Sequence, residues 1–124
     1  SPQIYIMDGD GNNAKKLTFA GNYNTSPAWS PKGDRIAYES RVNGKFQIFT
    51  IGTDGGNVKQ LTFDSGEGKS PSWSPDGRYL AFSKNSGGKK KIYIMTASGL
   101  NLRLLYEGNG DCVAASWSPS LKAD

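Results

Sequence analysis

Residues 26–33 read Ser26-Pro27-Ala28-Trp29-Ser30-Pro31-Lys32-Gly33, and residues 70–77 repeat the block as Ser70-Pro71-Ser72-Trp73-Ser74-Pro75-Asp76-Gly77. In both copies a proline stands two residues after the tryptophan, and a glycine stands two residues after that proline. Proline presets φ at the second position of a type I turn, and glycine is favoured at the fourth. The block therefore predicts a strand that ends at the tryptophan and then reverses in a tight turn.

The tryptophans of this block mark a repeat of forty-four residues. A third, shortened copy around Trp117 keeps the step from Trp29 and Trp73. The isoleucines of a later apolar run keep it as well: Ile4, Ile48 and Ile92. A fixed period of this kind indicates supersecondary units that cover one another's apolar surfaces.

Each unit holds four short apolar runs separated by residues that favour turns. The run after the tryptophan turn is followed by a polar loop and by a nearly continuous apolar run, as in 46–51. A glycine-rich turn leads to a last run, which ends in Leu17-Thr18-Phe19 or in Leu61-Thr62-Phe63. Runs of this length and composition are typical of strands, and no segment keeps helical periodicity.

Four antiparallel strands per unit, at a period in the low forties, predict a β-propeller, whose blades surround a central channel. With strands named a to d from the channel outward, the tryptophan block is strand a. The predicted units are 1–19 (strands c and d of an incomplete blade), 20–63 and 64–107 (two full blades) and 108–124 (a closing innermost strand). We therefore expect an all-β fold, a partial β-propeller of four-stranded antiparallel blades.

Catalytic patterns are missing from the sequence. The chain has no histidine, which removes the usual general base and the commonest zinc ligand. Asp8–Asn12 are similar to the start of a calcium loop, but Asn13 stands where that loop needs glycine, so we interpret the run as a c–d turn. Cys112 has no second cysteine and is interpreted as a packed small residue. No enzyme activity, cofactor or metal site is predicted.

The net charge is +4, and the one dense basic cluster is Lys89-Lys90-Lys91. Two interpretations of this cluster remain open, a solvated hairpin tip and attraction to an acidic protein partner. A nucleic-acid surface would combine clustered cations with exposed aromatic residues, whereas the aromatics here occupy repeating strand positions. No apolar run approaches the roughly 18 residues of a membrane span. Neither a nucleic-acid partner nor direct membrane insertion is predicted.

The blocks S-P-A-W-S-P-K-G-D-R-I-A-Y and S-P-S-W-S-P-D-G-R-Y-L-A-F, followed by I-Y-I-M, a D-G turn and L-T-F, resemble repeats of the TolB family. Members of that family are periplasmic propeller proteins of the Tol–Pal cell-envelope system. The resemblance covers nearly all of the chain and implies about half of a six-bladed ring. The stretch 115–121 resembles the natural C-terminus of the family, where an isolated tryptophan strand completes the ring.

The resemblance also implies a function. It predicts a non-enzymatic binding scaffold that contributes to envelope integrity by binding the peptidoglycan-associated lipoprotein Pal, with colicin-type peptides using the same surface. It implies a periplasmic location, with any leader upstream of Ser1. Two alternatives remain. One is the propeller of a serine peptidase of the prolyl oligopeptidase or dipeptidyl peptidase type. The other is a partial propeller that self-associates through its open strand edges.

Propeller geometry places the d–a and b–c loops on one face, where we expect a partner to bind. The d–a candidates are Tyr23, Asn24, Thr25, Glu67, Lys69, Asp111, Val113 and Ala114, and the b–c candidates are Arg41, Asn43, Asn85 and Lys89. Tyr23 is the sharpest candidate, because an aromatic side chain in a polar loop suits an interface anchor. Its alternative is packing onto Trp29.

Overall fold

A computed structural model describes residues 2–19, 21, 23–63, 66–86 and 88–108. All regular elements in those residues are strands. They are β1 (Tyr5–Ile6), β2 (Lys15–Lys16), β3 (Asn24–Trp29), β4 (Arg35–Val42), β5 (Lys45–Gly52), β6 (Lys59–Gln60), β7 (Glu67–Trp73), β8 (Tyr79–Ser86), β9 (Lys89–Thr96) and β10 (Arg103–Gly108).

The strands form three antiparallel sheets in chain order. β1 and β2 form the edge pair, β3 to β6 form the middle blade, and β7 to β10 form the last blade. Each blade is a meander in which every strand pairs with the next one along the chain. The predicted all-β fold with four-stranded antiparallel blades is confirmed. The strand predicted around Trp117 lies outside the described residues.

Both blades have the tight turn that was predicted after the tryptophan. The N–H of Gly33 donates to the carbonyl of Ser30 at 2.8 Å, and the N–H of Gly77 donates to the carbonyl of Ser74 at 2.9 Å. Both glycines have φ of 73°, in the left-handed region that glycine adopts without a steric cost. The predicted turn therefore forms in both copies of the repeated block.

A carboxylate reinforces the turn of the last blade. The hydroxyl of Ser74 donates to Asp76 at 2.6 Å, and the N–H of Arg78 donates to the same oxygen at 3.0 Å. These bonds, that of Ser74 first, lower the pKa of Asp76 because they favour its charged form. Lys32 occupies the matching position in the middle blade. The Asp76 carboxylate therefore stabilises the turn of the last blade, whereas the middle blade has a lysine at this position.

The innermost strand of each blade contains a bulge. Ser26 in β3 and Ser70 in β7 have positive φ, 56° and 55°, and the pairing with the next strand shifts register beside each serine. Positive φ is uncommon for residues with a Cβ atom, and a bulge bends its strand. The bulge divides each innermost strand into a half near the d–a loop and a half that ends at the tryptophan.

Two apolar clusters connect the sheets, and the repeat step relates them. The first contains Ile4, Leu17, Ile36, Tyr38 and Ile51, and the second contains their counterparts Ile48, Leu61, Leu80, Phe82 and Met95. The first cluster joins the edge pair to the middle blade, and the second joins the middle blade to the last blade. Each unit is thus covered by the next, as the sequence period predicts.

An aromatic pair supports each cluster. The rings of Tyr38 and Phe49 stack with centroids 5.7 Å apart, and those of Phe82 and Tyr93 stack at 5.8 Å. Burial raises the pKa of Tyr38 to about 12, because the phenolate loses its hydration in the interior. The last blade has Phe82 at the position of Tyr38 and therefore lacks this hydroxyl. The two interfaces share their shape and differ in one titratable group.

A tryptophan connects the two innermost strands. The indole N–H of Trp73 donates to the carbonyl of Ala28 at 2.8 Å, across the boundary between the blades. Trp73 is 9% exposed, whereas Trp29, which follows the two-stranded edge pair, is 52% exposed. Burial of the repeated tryptophan therefore depends on a preceding blade.

The outer strands of the edge pair and the middle blade are shorter than predicted. β2 ends at Lys16 and β6 ends at Gln60, just before the Leu-Thr-Phe stretch that was expected to finish them. The hydroxyl of Thr18 accepts the N–H of Ile4 at 3.0 Å, so a side chain takes the place of a ladder carbonyl. Regular pairing stops there because the next ladder bond goes to a side chain.

The same arrangement recurs one repeat later. The hydroxyl of Thr62 accepts the N–H of Ile48 at 2.9 Å and donates to Gln47, as Thr18 donates to Gln3. We call each set a threonine–glutamine clasp. The last blade carries Lys91 and Tyr106 at these positions, and its outer strand β10 continues to Gly108.

Candidate protein-binding face

The loop face carries the segments before β3 and β7 and the hairpin turns β4–β5 and β8–β9. Asn43 and Gly44 form the first hairpin turn with φ of 51° and 82°, a geometry that asparagine and glycine tolerate. Asn43 is exposed at this tip, and Lys89 is exposed at the start of β9. These two predicted b–c residues are therefore exposed at the hairpin ends of the blades.

Four of the predicted residues meet around Phe46, a residue that the sequence did not single out. The rings of Tyr23 and Phe46 meet edge to face with centroids 5.3 Å apart. The guanidinium of Arg41 lies 4.6 Å from the Tyr23 ring centre and 5.2 Å from that of Phe46. The ammonium of Lys69, from the last blade, lies 4.9 Å from the Phe46 ring centre and 3.6 Å from the Glu67 carboxylate. We call this set the cation–aromatic cluster.

The other two residues predicted in the first d–a loop open strand β3. Asn24 is 2% exposed, and its side-chain amide donates to Gln3 at 2.7 Å. Thr25 is half-buried and pairs with Glu39 in β4. Asn24 is thus turned toward the edge pair and fixes the loop that carries Tyr23, whereas the Tyr23 ring packs on Arg41 and Phe46.

A cleft of about 650 Å³ opens on the loop face between the middle and last blades. Its lysines come from both blades and are Lys45, Lys69, Lys84 and Lys90, and the predicted residues Glu67 and Asn85 also line it. Glu39 lies in its wall, 5% exposed, and its carboxylate accepts the N–H of Ser70 at 2.7 Å. We call it the lysine cleft.

Three predicted residues, Asp111, Val113 and Ala114, lie outside the described residues, as does Cys112. Asp111 is the third equivalent of Tyr23 and Glu67 along the repeat. The candidate site is therefore described for the first two d–a loops and the two hairpins.

Sequence reasoning missed Phe46, Glu39 and the cleft lysines Lys45 and Lys84. Two of these residues, Phe46 and Glu39, could have been noticed in the sequence because they depart from the repeat. Phe46 stands where the other units have Pro2 and Lys90, and Glu39 stands where the last blade has Ser83. The apolar clusters repeat from blade to blade, so departures from the repeat mark positions with other contacts: Glu39 accepts the N–H of Ser70, and Phe46 lies in the cation–aromatic cluster.

Within the described residues, no group of acidic or sulfur-bearing side chains is arranged to hold a metal ion. The side-chain amide of Asn13 donates to the Asp8 carboxylate at 2.7 Å, and the N–H of Asn12 donates to Asp10 at 3.0 Å, within the loop between β1 and β2. This loop is the c–d turn that the sequence predicted. In the same part of the chain, no helix has the length and apolarity to cross a membrane.

Stacked four-stranded blades with repeating interfaces define a β-propeller fragment. Residues 1–121 match the family described as the TolB beta propeller domain. The chain therefore belongs to the TolB β-propeller family.

Curated relatives and solved structures are similar in the same way. A stretch of 48 residues is 38% identical to the Tol-Pal system protein TolB of Wolbachia pipientis wMel, and the same holds for the Wolbachia strain wRi protein. This match covers 37% of the chain and 11% of the relative, so the chain spans a small part of the relatives' length.

Two solved TolB structures share the fold. TolB from Agrobacterium tumefaciens gives a TM-score of 0.78 at 26% identity, over 85% of this chain and 41% of that one. TolB from Acinetobacter baumannii gives 0.69 at 33% identity, over 80% of this chain and 25% of that one. The tricorn protease has a TM-score of 0.63 at 24% identity, over 92% of this chain and 10% of that one. This similarity concerns the fold alone.

Proposed function

We propose that this chain is a non-enzymatic protein-binding scaffold that contacts the lipoprotein Pal through the loop face. Membership of the TolB family supports the class of function, since the similar proteins from Wolbachia are named as Tol-Pal system proteins. On the same grounds we propose a periplasmic location and expect colicin-type peptides to compete for the same surface. The units 1–19, 20–63, 64–107 and 108–124 would each contribute one sector of this face.

The observation that carries the proposal is the cation–aromatic cluster. It joins side chains of two blades at one spot, with Tyr23 and Arg41 from the middle blade and Lys69 from the last blade. Tyrosine and arginine are enriched among the residues that dominate interface energies. Arg41 remains exposed although its guanidinium covers the Tyr23 ring. A partner that closed over this spot would bury a prearranged cation–aromatic pair at little entropic cost.

Contact with the partner would extend from this cluster along the loop face. The outer positions are Asn43, Asn85 and Lys89, and the inner ones are Thr25, Glu67 and Lys69, with Asp111, Val113 and Ala114 contributing from the third d–a loop. Asn24 would act by holding the Tyr23 loop, since its own amide is engaged with Gln3.

The test compares two arginines in the full-length protein. Arg41→Ala removes the cation that covers Tyr23, whereas Arg78→Ala removes an exposed arginine 5.9 Å from the Tyr79 ring centre on the opposite face. Binding to the soluble domain of Pal is measured by calorimetry, with unfolding curves as a folding check. We expect Arg41→Ala to weaken binding roughly tenfold, equal to about 1.4 kcal/mol, and Arg78→Ala to leave it unchanged.

Two results would contradict the proposal. One is that the folded wild-type protein does not associate with Pal. The other is that Arg78→Ala weakens binding as much as Arg41→Ala does, because the contact would then not lie on the loop face.

A further inference from the structure

Positive charge is concentrated in the lysine cleft, because strands of two blades bring lysines together there. Lys45, Lys69, Lys84 and Lys90 line it against two carboxylates, Glu39 and Glu67. Across the β8–β9 ladder Lys84 stands directly opposite Lys91, and Lys90 is the next residue. Like charges directly opposite each other destabilise a sheet. The last blade therefore carries an electrostatic cost at the end that faces the cleft.

Both carboxylates of the cleft already have partners in the fold. Glu39 accepts the N–H of Ser70 from the next blade, and Glu67 lies 3.6 Å from the ammonium of Lys69. Their charges are thus used to join the blades and to hold Lys69. An anion that entered the cleft would lie among lysines contributed by two blades, which favours binding of negative charge.

We propose that the lysine cleft binds an acidic, extended segment of the partner protein, through carboxylates that reach the lysines of both blades. The cleft of about 650 Å³ lies within the roughly 300 to 1,000 Å³ of typical ligand sites. The inference rests on the proposed function, because the segment belongs to the protein that docks on the loop face. It also assigns a role to the Lys89-Lys90-Lys91 cluster, as a source of attraction for an acidic partner.

An acidic peptide suits the cleft better than a nucleic acid. Single-stranded nucleic acids need open aromatic faces on which bases stack. The aromatic rings beside the cleft lysines are covered by cations: Arg41 and Lys69 lie over Phe46, and Lys84 lies over Tyr93. The oxygens of Glu39 and Glu67 in the wall can accept the backbone N–H groups that a peptide offers and a phosphodiester chain lacks. The mixture of many lysines and a few carboxylates fits a peptide that carries both acceptors and donors.

The experiment uses the full-length protein and a fluorescein-labelled decapeptide of alternating aspartate and glycine. Binding is followed by fluorescence anisotropy at low and at physiological salt. The test variant is Lys45→Gln/Lys90→Gln, whose residues line the cleft but lie outside the cation–aromatic cluster. The matched control is Lys15→Gln/Lys59→Gln, which removes the same charge from exposed positions on the short outer strands.

We expect the cleft variant to bind the peptide about five- to tenfold more weakly than the wild type, with a flatter salt dependence. The control variant should bind like the wild type, and a peptide with asparagine in place of aspartate should bind weakly to all forms. Equal binding by the cleft variant, or equal binding of the asparagine peptide, would overturn the proposal. Stronger and lysine-dependent binding of an oligothymidylate of equal charge would overturn the choice of a peptide.

A parallel titration with Pal separates this inference from the proposed function. If Pal binding is lost in Arg41→Ala but the cleft variant binds both Pal and the acidic peptide normally, the loop face is correct and the cleft assignment is wrong. If the wild-type protein does not bind Pal, the proposed function is wrong, and the peptide comparison alone decides the chemistry of the cleft.

Discussion

The interior of this protein repeats along the chain, whereas its loop face does not. Both apolar clusters use the same five positions at a step of forty-four residues, and both stacked aromatic pairs do so as well. On the loop face, the matching positions carry different chemistry. Tyr23 corresponds to Glu67, and Arg41 corresponds to Asn85. This difference separates residues that hold the blades together from residues whose identity a binding partner can determine.

The physical reason lies in what each position contacts. An interior residue meets the next copy of its own unit, so every blade imposes a similar shape on it. A loop-face residue meets solvent or a partner, and a partner is not repeated every forty-four residues. A departure from the repeat on the loop face is therefore a candidate for partner contact, as at Phe46, whereas the departure at Glu39 serves the contact with Ser70 of the next blade.

The largest expected effect is on the repeated interior. Phe82→Ala removes a buried ring that stacks on Tyr93 between the middle and last blades, so unfolding of the full-length protein should become easier by about 3–5 kcal/mol. Phe63→Ala is the matched control, because Phe63 is 74% exposed, and it should change stability by no more than about 0.5 kcal/mol. Denaturant unfolding measures both. Similar losses for the two variants would break the distinction between interior and surface.

A smaller effect is expected at the threonine–glutamine clasp. Thr62→Val keeps the side-chain shape but leaves the N–H of Ile48 without its hydroxyl acceptor, so we expect a loss of about 1–3 kcal/mol. Thr18→Val should cost a similar amount, since it removes the same bond one repeat earlier. Thermal unfolding at matched conditions measures the two variants. If only one of them loses stability, the clasps are not equivalent and the repeat is looser than the contacts indicate.

The smallest effect concerns the hydroxyl by which the two interfaces differ. Burial raises the pKa of Tyr38 to about 12, above the ordinary value of 10.0, so the folded state resists its ionisation. The associated stability is present below pH 10 and is lost as the pH rises toward 12. Tyr38→Phe, which copies the last blade, should remove this part of the alkaline loss. Melting temperatures between pH 8 and pH 12 compare the two forms, and parallel curves would show that Tyr38 does not contribute.

Much of the fold could be predicted because its signals are local or periodic. The turns at Gly33 and Gly77 follow from proline and glycine chemistry, and the strands of each blade follow from short apolar runs. The early end of β2 and β6 could not be predicted in this way. It depends on the hydroxyls of Thr18 and Thr62 meeting N–H groups fourteen residues away, and no local pattern reveals that contact.

The candidate site was predicted less completely, for a related reason. Its face and several members followed from the repeat, including Tyr23, Arg41 and Lys69. Their meeting around Phe46 depends on the approach of two blades, which a single unit does not encode. Asn24 looked like a contact residue from its loop position, and only the structure places its amide against Gln3, just before β1.

Hydrogen exchange of the full-length protein, with and without the soluble domain of Pal, tests the central claim most directly. The account predicts added protection on the non-repeating loop face, at amides 23–25, 41–46 and 67–69. It predicts no change at the repeated turns 30–33 and 74–77 on the opposite face. Protection confined to those turns, or no protection when Pal is bound, would contradict the account.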